Sequence, residues 1–116
     1  TIAFGARALG NEQPKYLNSP DTPLFHKSHE LFGLHKVLKI KPHPDSVLLV
    51  EGYMDCISLH QHAISNVVAS LGTAATREHF QFLFRFFNKL IFCFDGDKAG
   101  QNAAWRAMEN LLPILK

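Results

Sequence analysis

Two short acidic motifs carry most of the chemistry in this sequence: Glu51-Gly52-Tyr53-Met54-Asp55 and Asp95-Gly96-Asp97. In an extended segment, side chains two residues apart point the same way, so Asp95 and Asp97 can face one common space. Gly96 between them lets backbone, substrate or metal approach closely. Two neighbouring carboxylates repel and raise one pKa unless a cation lies between them. An oxygen-only donor set suits a hard divalent ion, Mg²⁺ or Mn²⁺, rather than zinc. Taken singly, an Asp-x-Asp is most often a turn or a helix cap, and a Glu-Gly carries less information still. Asp55 has two readings: a further ligand, or an acid of a helix's first turn favoured by the helix dipole.

The elements around these motifs decide between the bland and the chemical readings. Ser46–Val50 is a continuous apolar run rich in β-branched residues, the pattern of a strand buried on both faces. A helix over Met54–Ala63 and a short strand over Asn66–Ala69 follow. Thr76 is a good N-cap for a helix in which Phe80, Leu83, Phe84 and Phe87 recur at helical spacing. Phe80, Phe82, Phe84 and Phe86 also alternate, so a strand competes there; helix is preferred because a crossover is needed. Lys89–Phe94 predicts a third buried strand, and Lys98–Leu112 a helix with an inward stripe of Ala99, Ala103, Ala107, Met108 and Leu111, ended by Pro113. The order β-α-β-α-β-α implies an α/β fold with parallel strands and helical crossovers. Both acidic motifs then fall at carboxyl ends of strands, where open parallel sheets bind ligands. That coincidence favours metal-dependent phosphate chemistry. Gly72-Thr73 after the second strand offers backbone N–H groups to a phosphate, or is a plain turn.

Residues 1–45 hold five of the six prolines and read as an ordered, turn-rich loop system. Within it, Ser28 predicts an N-cap for a helix over His29–Leu38, stopped by Lys41-Pro42-His43-Pro44. A domain boundary is expected there, dividing 1–45 from 46–116.

The chain has 116 residues, of which 47% are hydrophobic and 19% charged, which excludes wholesale disorder. No apolar run reaches the ~20 residues of a membrane span. The opening TIAFGARALG lacks the pattern of a signal peptide, and both ends read as cut, so an excised piece of a longer chain is expected. Cys56 and Cys93 lie in apolar segments without metal-like or disulfide-like spacing, which points to a reducing, cytosolic setting and no zinc site. The seven histidines form no metal constellation, so packing or solvated roles are expected. No phosphate-binding P-loop and no Ser-His-Asp signature is present. The net charge is +2, and the basic surplus lies before residue 42, where Arg7, Lys15 and Lys27 stand near Tyr16, Asn18 and Ser19. Such groups either hold phosphates or are scattered solvated charges.

Three stretches together resemble the Toprim module shared by primases, topoisomerases and some nucleases: Val50-Glu51-Gly52-Tyr53-Met54-Asp55, Ala69-Ser70-Leu71-Gly72-Thr73-Ala74 and Phe94-Asp95-Gly96-Asp97-Lys98-Ala99-Gly100. Upstream, Phe4-Gly5-Ala6-Arg7-Ala8-Leu9 and Pro14-Lys15-Tyr16-Leu17-Asn18-Ser19-Pro20, then Leu24-Phe25-His26-Lys27, are similar to the segment preceding Toprim in bacterial replicative primases of the DnaG type. The resemblance covers nearly the whole chain. It implies a Toprim-like parallel sheet with flanking helices, preceded by part of a mixed α/β N-terminal subdomain. It implies an RNA polymerase that starts primers on single-stranded DNA from ribonucleoside triphosphates, using Mg²⁺ or Mn²⁺, in the bacterial cytoplasm at the replication fork. By the resemblance, Glu51 is a catalytic acid/base or metal-organising group, Asp95 and Asp97 are the metal-binding pair, and Asp55 is a further acid of the site. Arg7, Lys15, Asn18 and Lys27 match the basic surface that holds nucleotide and template. A further acidic motif of the family, its zinc-binding module and its domain for the replicative helicase fall outside this sequence. A Toprim nuclease or topoisomerase, and a non-catalytic Toprim-like nucleic-acid-binding module, are the rival readings; Glu51, Asp95 and Asp97 together argue against the second.

Overall fold

The computed structural model describes residues 1–115. In chain order its elements are β1 (Gly5–Arg7), β2 (Tyr16–Asn18), α1 (Leu34–Val37), β3 (Ser46–Val50), α2 (Tyr53–Gln61), β4 (Val67–Ala69), α3 (Arg77–Leu83), β5 (Lys89–Cys93) and α4 (Lys98–Leu111), with a 3-10 turn at Leu112–Ile114. The apolar runs of β3, β4 and β5 assemble as one parallel sheet in the order β4-β3-β5. Register aligns Val50 of β3 with Ala69 of β4 and with Cys93 of β5. The three carboxyl ends therefore lie side by side.

Helices cover both faces, as a parallel sheet requires. On one face Cys56 of α2 packs with Val50, Val67 and Ala69. On the other, Phe80 and Leu83 of α3, Phe87, and Ala107 of α4 pack with Val47, Leu49 and Val68. Burial raises the Cys56 thiol to about 11, while Cys93 is exposed. The helical reading of the phenylalanine-rich stretch holds for its first half, where Thr76 caps α3 through its Oγ1, which accepts from His79 N at 3.3 Å. The helix stops at Leu83, with Phe84 as C-cap and Phe87 just past the turn that follows.

Several expectations are corrected. The helix over His29–Leu38 shrinks to Leu34–Val37, with Gly33 at φ 83° as its N-cap. Ser28 does not cap it; the Ser28 carbonyl accepts from Thr76 Oγ1 at 2.6 Å. Phe32 is held extended instead, because its N–H and C=O both pair with Ala69. Completing hydrogen bonds on that flank of β4 outweighs extending the helix by one turn. Gly33 is obligatory there, since a Cβ would also stand 3.1 Å from both Cys56 Sγ and Val67 O. The turn-rich N-terminal segment contains an antiparallel hairpin, with Gly5 opposite Asn18 and Arg7 opposite Tyr16. β5 is half-exposed rather than buried on both faces, because it lies at an edge of the described sheet. The inward line of α4 runs through Gly100 and Ala107; Ala99 and Met108 are exposed.

His79 is a packing histidine whose protonation state the fold dictates. Its Nδ1 accepts from Thr76 N at 3.1 Å, so Nε2 carries the hydrogen and donates to the Lys27 and Glu30 carbonyls, each at 3.1 Å. Burial lowers its pKa from the ordinary 6.5. On acidification the unfolded chain therefore takes up a proton first. Stability is full above about pH 6.5 and declines as pH falls towards the depressed folded value. Urea unfolding at roughly pH 7.5 and 5.5 should show a lower midpoint at the acidic value, with a shallower pH dependence in His79→Gln. An equally steep dependence in the variant would remove His79 as its source.

Candidate active site

The parallel register brings the two acidic motifs to one edge of the sheet. Glu51 follows β3 directly, and its Oε1 accepts from the Asp95 backbone N–H at 2.9 Å. The first motif thereby pins the second. Ser70, at the end of β4, is buried and donates from Oγ to the Glu51 carbonyl at 3.1 Å. Asp97 is the N-cap of α4, its Oδ1 accepting from Gly100 N at 2.8 Å. Its second oxygen makes no hydrogen bond among the described residues. Asp55 Oδ2 accepts from Gly52 N at 3.0 Å, closing the first turn of α2 as an acid in a capping box does.

Gly100 holds this arrangement together. A Cβ there would collide with the Asp95 carbonyl and approach Glu51 Oε1 to 2.7 Å. Residue type and spacing single out Gly96, yet a Cβ at Gly96 meets nothing within 4 Å. The signal for Gly100 lies in the run Asp95–Gly100, whose last glycine falls in the first turn of the following helix.

The carboxylates fit a hard divalent ion by donor chemistry, all oxygen and largely exposed at Asp95 and Asp97. Among the described residues, no group of three His, Cys, Asp or Glu side chains is arranged to hold an ion alone. An open set of one or two carboxylates, completed by water and substrate phosphates, is the usual way proteins take Mg²⁺.

The basic hairpin is tied to this end of the sheet by residues that carry no such signal in the sequence. Tyr53, inside the first acidic motif, donates from its hydroxyl to the Ala6 carbonyl at 2.8 Å. Burial, reinforced by the neighbouring Tyr16, raises the Tyr53 pKa from its ordinary 10.0. The Tyr16 and Tyr53 rings meet edge-on at 5.8 Å. Tyr16 also carries two cations: the Arg7 guanidinium 5.8 Å and the Lys15 ammonium 5.9 Å from its ring centre. Asn18 Nδ2 donates to the Leu71 carbonyl at 3.4 Å, linking β2 to the loop after β4. Lys27 lies apart from this group, with its Nζ 3.9 Å from Asp21 Oδ1.

Two cavities flank the hairpin's docking line. One, of about 450 Å³, opens between the ends of β3 and β4 and the start of α4, with Glu51, Thr73 and Arg106 in its wall. The other is a mostly apolar groove of about 980 Å³ between residues 1–5, residues 30–38 and α2, and neither Asp95 nor Asp97 lines it.

In this chain a glutamate follows the central strand of a parallel sheet and an aspartate pair follows the strand beside it. Residues 48–114 match the Toprim-like family, and the chain belongs to it. Residues 1–38 match the N-terminal domain of the DNA primase catalytic core. The chain is 55% identical to a DNA primase of Pseudomonas aeruginosa over 115 residues, 99% of this chain and 17% of that protein. It is 60% identical to a DNA primase of Legionella pneumophila, over 98% of this chain and 20% of that protein. It thus spans about a fifth of the length of these curated relatives. A crystal structure of a DNA primase domain from Pseudomonas aeruginosa superimposes with a TM-score of 0.95 at 55% identity, covering 99% of this chain and 36% of that one. A DnaG primase catalytic domain bound to single-stranded DNA superimposes with a TM-score of 0.91 at 51% identity, again over 99% of this chain and 36% of that one. The expected fold and the resemblance to the DnaG primase core are both borne out. Among the described residues, no helix is long and apolar enough to cross a membrane.

Proposed function

We propose that this chain is part of the catalytic core of a DnaG-type primase, which makes RNA primers on single-stranded DNA. In this reading residues 1–45 are the end of the N-terminal subdomain and residues 46–116 the Toprim domain. The observation that carries it is the Glu51–Asp95 hydrogen bond at the aligned strand ends, together with a hairpin that presents Arg7 and Lys15 and is tied to the first acidic motif through Tyr53. Primer extension requires attack by a 3′-hydroxyl on the α-phosphorus of a ribonucleoside triphosphate, with pyrophosphate leaving. Asp95 and Asp97 would hold Mg²⁺ or Mn²⁺, which supplies activation of the hydroxyl and neutralisation of the leaving group. Glu51 fixes the backbone N–H of Asp95 and adds a third negative charge. Asp55, in the first turn of α2, is a further acid of the site in this reading. Arg7, Lys15, Asn18 and Lys27 grip phosphates without reading bases.

The setting is the bacterial cytoplasm, and the replicative helicase is met through another domain of the parent protein. A Toprim nuclease or topoisomerase would cut phosphodiesters where this reading has them made. Tyr53 is engaged with Ala6 and Tyr16 rather than free as a DNA-cleaving nucleophile, which favours the primase reading. The test is incorporation of labelled ribonucleotides on single-stranded DNA by the full-length primase carrying these residues. Template-dependent RNA supports the reading; strand cleavage without synthesis overturns it. Binding of that protein to single-stranded DNA should weaken with salt. Replacing Arg7, Lys15 and Lys27 together by Ala should flatten the log–log salt slope by roughly 0.7 for each phosphate no longer neutralised. An unchanged slope would make these residues solvated charges only.

A further inference from the structure

Arg106 has no place in the primase reading so far, yet it shares a cavity with the acidic end. The cavity of about 450 Å³ has Glu51 in its wall, the Gly72-Thr73 loop beside it, and α4 presenting Ala99, Asn102, Ala103 and Arg106. On a helix these four positions form one stripe, and the two alanines leave room between the longer side chains. Among the described residues Arg106 has no carboxylate within 4.0 Å, because the ion pairs found there are those of Asp21. It makes no side-chain hydrogen bond there either. A guanidinium left uncompensated in a concave site at the carboxyl ends of parallel strands is a place for an anion.

We propose that Arg106, with Asn102 and the Gly72-Thr73 loop, forms a phosphate-binding subsite of the polymerisation centre. The inference rests on the primase reading and deepens it. The planar guanidinium fork matches two oxygens of a phosphate, and the Thr73 hydroxyl and Asn102 amide add neutral donors. Glu51 in the wall of the same cavity repels a bare phosphate, so the subsite takes one whose remaining charge is shared with a divalent cation. A nucleoside triphosphate and a nucleic-acid strand both supply that group.

The full-length primase carrying Arg106→Ala separates these sources. Arg106 is exposed, so the variant should melt with the wild type. If the phosphate belongs to the incoming nucleotide, KM for ribonucleotides at saturating template rises roughly 10- to 100-fold, the range expected on removing a charge-assisted bond, while kcat moves less and single-stranded DNA binds as before. If it belongs to a strand, the dissociation constant for a fluorescent oligonucleotide rises instead. Arg106→Lys should recover part of either loss, because the charge returns without the fork. Both constants within twofold of wild type, in a preparation that Asp95→Asn inactivates, would overturn the subsite and leave the primase reading standing. A wild-type preparation that makes no primers would overturn both.

Discussion

Replacing Glu51 with Gln in the full-length primase should reduce primer synthesis by at least ~100-fold, the usual cost of removing one preorganised electrostatic group. The substitution is chosen for what it keeps. A glutamine Oε1 still accepts from Asp95 N, the bond now 2.9 Å long, so the loop retains its anchor while the negative charge is lost. Asp95→Asn and Asp97→Asn act in the same sense. Asn is as good an N-cap as Asp, so α4 should keep its start when Asp97 is changed. The measurement is labelled ribonucleotide incorporation with Mg²⁺ or Mn²⁺, beside thermal melts of each variant. Parental activity in Glu51→Gln would refute the role given to that carboxylate. Residues 1–116 alone should make negligible primer, since reacting groups misplaced by about 1 Å can cost ~100-fold and this chain is about a fifth of its relatives.

Gly100→Ala should be the most damaging single methyl group in the chain. Its Cβ would collide with the Asp95 carbonyl and press on Glu51 Oε1 at 2.7 Å, so either α4 or the Asp95 loop must move. Overpacking of this kind costs roughly 1–3 kcal/mol or more. It also separates the carboxylates that the mechanism needs together, so activity should fall further than stability. Gly96→Ala is the control: its Cβ meets nothing within 4 Å, and its melting temperature should match the parent's. Equal tolerance at both glycines would mean that the close approach at Gly100 is not a constraint.

Much of this was legible because the informative residues obey one period or one cap rule. Phe80 and Leu83 recur at helical spacing and are buried on α3, and Phe87, which continues the spacing past the helix's end, is buried in the same core. Ser46–Val50 and Val67–Ala69 read as buried strands because helices do cover both faces. The hairpin was not legible, since its three-residue strands are exposed and carry no apolar alternation. Ser28 misled for a related reason: a local capping preference lost to the backbone pairing of Phe32 with Ala69, a partner 37 positions away that no local window contains. At the site, residue type revealed the acids and allowed the local cap that Asp97 makes with Gly100, but not that Tyr53 ties the acidic motif to Ala6. That last contact depends on where distant segments meet.

The central claim is that Asp95 and Asp97, steadied by Glu51, hold the divalent ion of nucleotidyl transfer. Anomalous diffraction from crystals of the primase core soaked in Mn²⁺ tests it most directly. The account predicts Mn²⁺ within direct coordination distance of the Asp95 and Asp97 carboxylates, with Glu51 beside it, and loss of that signal in Asp95→Asn/Asp97→Asn with the fold unchanged. Mn²⁺ bound elsewhere, or equally occupied in the double variant, would contradict it.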